Sequence, residues 1–341
     1  MRTLVIRFSA LGDLLLTLPA LRDLSAASHK LHFLTLSRFA PLMEPLPGIE
    51  RVWSLDPSLG VAGLRAMAAE LAEEKFDAVL DLHDNLRSRS LHVLLAVRGP
   101  RWITTHRDAL RRRILVAAPD TLKASLRKRP FTPVYERHRE AAAQLSESGH
   151  APEQAYPLDE VLQHSVDEEL AALGLDPNSH PLALAPGAAW IQKAWPRFEE
   201  FAAALPAHLP LLVVGGPGEE ELCRAVAATA GERAKVFAGA LALPRLAATL
   251  SRCRGLVGGD SGLAHLAEAV DRPVCTLFGP TVPEFGFAPR RPESLLIQRN
   301  LSCRPCSLHG KRPCKYGDQR CLAELEPESV IAELREGGWL E

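Results

Sequence analysis

At 341 residues the chain is longer than a single hydrophobic core ordinarily serves, so two domains are expected. Its 47% hydrophobic and 24% charged content is that of a soluble globular protein, and no run approaches the ~20 apolar residues a membrane helix needs. The net charge of −1 conceals a basic segment: residues 101–139 carry eleven Lys/Arg against three acids, an excess of eight.

The chain opens with MRTLVIRFSALGDLLLTLPAL, early arginines followed by leucines in the manner of a secretory signal. Arg7 and Asp13 interrupt the apolar run and no clean Ala-x-Ala site follows, so a cytoplasmic chain is expected. Residues 3–8, 31–36, 51–55 and 77–82 read as strands, and helical patterns fill 12–26, 59–74 and 85–97. Such alternation predicts parallel βαβ units. Asp13 follows Gly12 at the start of the first helix, where a carboxylate can act as a general base or merely complement the helix dipole. Its place within a leucine-rich run favours function.

Pro152, Pro157, Gly174 and Pro177 mark a linker near residues 150–180. Beyond it the alternation resumes, with buried strands at 181–187, 210–216, 255–260 and 273–279 and helices at 197–205, 218–230, 243–252 and 261–269. The predicted architecture is α/β, two Rossmann-like doubly wound parallel sheets facing a cleft, with ligands outside the carboxyl ends of the strands.

Three motifs occupy strand ends in this half. PGAAWIQKAWP places Lys193 ahead of a helix start, either a cation for a departing diphosphate or a solvated lysine. GGPGEEEL sets three acids at a glycine-rich corner, where one can accept from ribose hydroxyls or all can serve the helix dipole. GGDSGLAHLAEAV puts Asp260, Ser261 and Gly262 at a helix start with His265 one turn on. That corner either holds a phosphate on free N–H groups or is an ordinary capped turn.

Together these stretches resemble glycosyltransferase family 9, the ADP-heptose:lipopolysaccharide heptosyltransferases. IRFSALGDLLLTLPAL, DAVLDLHDNLRS, KAWP and GGDSGLAHLAEAVDRPVCTLFGPT carry the resemblance, which spans nearly the whole chain. It implies a GT-B fold: an acceptor domain over 1–165, a donor domain over 166–320, and a C-terminal helix at 321–341 packing back on the first. It implies inverting, metal-independent transfer of heptose from ADP-heptose to the Kdo or heptose of the lipopolysaccharide inner core. Asp13 would be the base and Lys193 would neutralise the leaving ADP. Gly12, Glu219, Leu241, Asp260, Ser261, Gly262, Leu263 and His265 would serve the donor. Ala188 and Ala189 stand where some relatives carry hydroxyl residues, so any phosphate contact there falls to backbone N–H groups.

The implied acceptor is an anionic lipid A/Kdo core at the cytoplasmic face of the inner membrane. Arg87, Arg111, Arg112, Arg113, Arg127, Lys128 and Arg129 are its expected contacts, on the first domain. A solvated charged hairpin also accounts for the basic runs; nucleic acid does not, because no aromatic-interleaved motif accompanies them. Remaining alternatives are a relative using another nucleotide-sugar or a protein acceptor, and a silent nucleotide-sugar or lipid-binding module on the same fold.

Cys303, Cys306, Cys314 and Cys321 form C-x2-C-x7-C-x6-C. That spacing suits structural zinc or iron, disulfides, or reduced packing cysteines.

Overall fold

Short apolar strands flanked by amphipathic helices bury both faces of a sheet only when the helices cover each side. The computed structural model, which describes residues 1–96, 99–106, 108–146 and 149–341, realises that arrangement twice. β1 (Arg2–Ile6), β2 (Lys30–Leu36), β3 (Ile49–Leu55), β4 (Ala78–Asp81) and β5 (Arg101–Thr104) pair in parallel in the order β3-β2-β1-β4-β5. β6 (Leu182–Ala185), β7 (Leu211–Gly215), β8 (Ala234–Ala238), β9 (Gly255–Gly259), β10 (Val274–Phe278) and β11 (Leu295–Gln298) form a second parallel sheet, ordered β11-β10-β9-β6-β7-β8.

The expected first helix is two helices, Leu11–Leu15 and Leu18–Ala26, because Pro19 has no N–H to extend a ladder and starts a new turn instead. Asn85 caps Leu86–Leu95 through its side chain, which accepts from the Ser88 N–H at 3.0 Å. β5, β8 and β11 were not expected: each is short and lies at the edge of its sheet, and Lys235 breaks the apolar run of β8.

The chain divides into one compact unit of residues 1–107 and 134–157 and another of 108–133 and 158–341. Three expectations change. The boundary foreseen at 165 lies at Pro157/Leu158, and residues 108–133 join the second unit rather than the first. Leu115, Val116 and Phe131 explain the latter, since they bury against Val282 and Phe285 of that unit. The C-terminal helix Pro327–Glu336 likewise belongs to the second unit. Val330, Ile331 and Leu334 are buried in a core shared with Phe198, Phe201 and Leu322, each such burial worth about 1.5–3 kcal/mol. Among the described residues, no helix is long and apolar enough to cross a membrane.

Candidate active site

In each sheet the first strand is joined to neighbours on both sides, so the chain reverses its winding beside it. That makes β1/β4 and β6/β9 the crevices where open parallel sheets hold ligands.

In the first unit, Asp13 sits in the first turn of the helix that follows β1. Arg7 approaches it with Nη2 at 2.7 Å from Oδ1, and the Ala10 N–H donates to Oδ2 at 3.3 Å. Arg7 is itself buried; its Nε donates to the Ser9 carbonyl at 2.9 Å and its Nη1 to the Leu82 carbonyl at the end of β4. The carboxylate is thus aimed by a guanidinium that the backbone holds from two strands. Gly12 is buried beneath it, while Arg87 is exposed on the helix after β4.

His138 lies buried in the same unit, with its Nδ1 3.0 Å from the Leu16 carbonyl. A carbonyl only accepts, so Nδ1 carries a proton. Burial, reinforced by Arg7, pushes its pKa from 6.5 down to about 3. Between those values the unfolded chain binds a proton that the native state does not. Stability is therefore full above pH 6.5 and falls as the pH drops toward 3, by up to about 1.4 kcal/mol per unit. His138→Asn, which keeps a donor for Leu16, is expected to flatten this slope in urea unfolding between pH 7.5 and 4.5. An unchanged slope would show that His138 is not its source.

In the second unit, Lys193 ends a single 3-10 turn (Ile191–Lys193) after β6, and Asp260 follows β9. The crossover that places β9 beside β6 brings them together, with Nζ 2.7 Å from Asp260 Oδ2. Thr281, after β10, donates its hydroxyl to the same Oδ2 at 2.8 Å. Thr281 went unnoticed in the sequence, although its position just past a strand end in FGPT was a usable signal.

The helix Gly262–Ala269 begins at Ser261 with no side-chain cap, so its first N–H groups, including those of Gly262 and Leu263, are unmatched by a cap. Among the described residues, Ser261 Oγ, His265 Nδ1 and Thr276 Oγ1 are buried without hydrogen-bond partners, and all three residues line one crevice with Asp260 and Phe287. Buried polar atoms are almost always satisfied, so three orphans around a helix start mark a place for a polar guest.

Glu219 accepts from the Gly216 N–H at 2.7 Å and lies against the loop after β6. A Cβ on Gly187 would stand 2.2 Å from its carboxylate carbon, so only glycine admits that approach. Leu241 is half-buried beyond the edge strand β8, away from the Lys193–Asp260 pair in strand order.

The seven basic residues of segment 108–133 separate into two sets. Arg111 lies over the segment's own Phe131 ring at 4.2 Å, while Arg112 donates to the Phe285 carbonyl at 2.7 Å, Lys123 donates to the Cys303 carbonyl at 2.9 Å, and Arg127 pairs with Glu284 at 2.7 Å. The last three hold the segment on the second unit. Arg113, Lys128 and Arg129 are exposed. Arg107 lies outside the described residues.

Cys303, Cys306, Cys314 and Cys321 are free thiols, and among the described residues no group of three or more His, Cys, Asp or Glu is placed to hold a metal. Burial and the neighbouring cysteines raise the Cys306 thiol and push that of Cys321 up to about 11. The described residues give no support to the zinc or iron expected from the spacing.

Residues 64–316 match the family described as Glycosyltransferase family 9 (heptosyltransferase). Lipopolysaccharide heptosyltransferase 1 of Pseudomonas aeruginosa is 28% identical, over 98% of this chain and 94% of its own. Among solved structures, a glycosyl transferase family 9 protein of Veillonella parvula superposes with a TM-score of 0.78 at 21% identity, covering 98% of this chain and 96% of that one. An Escherichia coli heptosyltransferase with ADP-2-deoxy-2-fluoro heptose gives 0.68 at 23%, covering 98% and 99%. The fold is GT-B.

Proposed function

This chain belongs to glycosyltransferase family 9, and on that premise we propose that it transfers heptose from ADP-heptose to the inner core of lipopolysaccharide. The observation that carries the donor side is the second unit's strand-end cluster. There an ammonium–carboxylate pair and three orphaned polar atoms surround an uncapped helix start. A diphosphate satisfies all of these needs together: N–H groups of the helix start, a cation, and hydroxyl or imidazole donors. ADP and an ADP-heptose analogue occupy relatives of the same fold.

In the proposed reaction the acceptor hydroxyl attacks the anomeric carbon from the face opposite the phosphate, giving inversion. Asp13 takes the hydroxyl proton as the new C–O bond forms. The anomeric carbon–phosphate oxygen bond breaks, and ADP departs with the electron pair. Lys193 and the N–H groups of Ser261, Gly262 and Leu263 balance the charge that develops on it. Asp260 and His265 orient the donor, and Glu219 and Leu241 serve its nucleoside. Every step is carried by side chains and backbone, so no metal is invoked. Type 1 heptosyltransferases match over most of the chain, whereas type 2 sequences match only a third or so of it, which favours the first heptose acceptor, Kdo-lipid A. The test is NMR of the product: the transferred heptose should carry the anomeric configuration opposite to that in the donor. Retention would refute the single-displacement reading.

The acceptor side rests on residues 108–133. The helices Ala109–Ala117 and Asp120–Arg127 expose Leu110, Ile114, Leu122 and Leu126 near Arg113, Lys128 and Arg129. Apolar side chains ringed by cations suit an anionic leaflet, with about 1 kcal/mol from each basic residue near the surface. Alanine at Arg113, Lys128 and Arg129 together is expected to weaken binding to phosphatidylglycerol-containing vesicles by roughly two orders of magnitude. It should also raise KM for Kdo-lipid A while leaving ADP affinity unchanged. Equal vesicle binding by both proteins would contradict this.

A further inference from the structure

The Cys-rich segment 303–321 has no part in the chemistry above, yet it surrounds the residues that do. Arg304 is 1% exposed, and its guanidinium donates to three carbonyls: Gly279 at 2.5 Å, Arg299 at 2.5 Å and Thr281 at 2.9 Å. Burying so large a cation is costly unless its donors are matched. Here two of the carbonyls belong to the turn that follows β10 and the third to the residue after β11, so the buried guanidinium holds that turn in place. Thr281, 3% exposed on the same turn, spends its hydroxyl proton on Asp260 Oδ2, the oxygen that also accepts from Lys193.

The segment reaches Lys193 from the other side as well. Gln319 Nε2 donates to the Ala194 carbonyl at 3.1 Å and the Ile191 carbonyl at 3.3 Å, bracketing the turn that carries the lysine. Gln192 Oε1 accepts from the Cys314 N–H at 3.2 Å. Gly310, at φ +82°, lies against the lysine stem; a Cβ there would stand 2.5 Å from Lys193 Cγ. A single 3-10 turn has too few internal hydrogen bonds to fix a long side chain, so its placement depends on these outside contacts.

We propose that Thr281 and Gln319 are positioning residues for the Lys193–Asp260 pair, and that the Cys-rich segment, anchored by Arg304, is the scaffold that presents them. Thr281 sets the carboxylate and Gln319 sets the backbone turn, so the ammonium is held ready for the leaving diphosphate. This rests on the role proposed for Lys193.

The test is steady-state transfer from ADP-heptose to Kdo-lipid A by the full chain. Thr281→Val should lower kcat about tenfold, the loss of one hydrogen bond to a charged group, with little change in donor KM. Thr281→Ser should return kcat to within about threefold. Gln319→Met, at a half-exposed site, should behave like Thr281→Val and covers the case in which the valine variant fails to fold. In a Lys193→Ala background, either substitution should cost no more than about twofold further, because a residue acting through the lysine has nothing left to position. Full kcat in both single variants, or losses that multiply undiminished on Lys193→Ala, would overturn the proposal. Lys193→Ala at the wild-type rate would overturn it together with the reading of the lysine, whereas a slow Lys193→Ala beside unaffected Thr281 and Gln319 variants would overturn the positioning alone.

Discussion

Asp13→Asn should lower kcat for transfer by about 10²–10⁴-fold, the range attributable to a positioned proton acceptor, while ADP affinity stays within about twofold. The substitution is nearly isosteric, and an amide oxygen still accepts from Arg7 Nη2, which stands 2.7 Å from the present carboxylate. Arg7 also keeps its bonds to the Ser9 and Leu82 carbonyls, so the strand end is not left with an unmatched buried cation. What is lost is basicity, together with the weak bond from the Ala10 N–H, a helix-start contact worth about 1 kcal/mol at most. ADP should be indifferent, because the diphosphate is assigned to the second unit's strand ends. Isothermal titration with ADP beside initial-rate measurement separates the two effects. A variant with wild-type kcat would remove Asp13 from the chemistry; one that loses ADP binding as well would point to a structural defect.

Lys193→Met should cost about 10²–10³-fold in kcat, comparable to removing one preorganised donor from a developing oxyanion. It should also weaken ADP binding, since the Asp260 carboxylate, now without its 2.7 Å partner, would face the phosphates as an unbalanced charge. Asp260→Asn in the same chain should restore part of the ADP affinity but not the rate, because it removes the repulsion without returning the cation. Lys193→Arg should be intermediate: the charge returns, but Gly310 packs against a lysine stem and a guanidinium presents its charge in a plane rather than at a point. Equal losses in Lys193→Arg and Lys193→Met would indicate that geometry, not charge, is decisive. No loss in either would contradict the assignment.

The alternation of strands and helices was legible because buried parallel strands read as apolar runs closed by glycine or aspartate, as in PLLVVGG and GLVGGD. That Lys193, Glu219 and Asp260 follow strand ends was legible for the same reason. That Lys193 and Asp260 meet was not legible, since it depends on β9 pairing with β6, a neighbour more than 70 residues earlier. Residues 108–133 follow the first sheet in the chain, yet their apolar side chains are complementary to Val282 and Phe285. Pattern reading places a segment by sequence order, whereas packing places it by where its buried side chains find partners. The same holds for the C-terminal helix, whose apolar face fits beside Phe198 and Leu322. The cysteine spacing suggested a metal, but the described segment sets Arg304 against the turn after β10 and Gln319 and Gly310 beside the lysine turn.

The central claim is that this chain releases ADP from ADP-heptose only when the inner-core acceptor is present. ADP release should therefore be followed on mixing the protein with ADP-heptose alone, with Kdo-lipid A, and with the mono-heptosylated acceptor. The account predicts rapid release with Kdo-lipid A and little with the other two. No release with either acceptor, from protein that binds ADP, would contradict it and favour a binding module or a different acceptor.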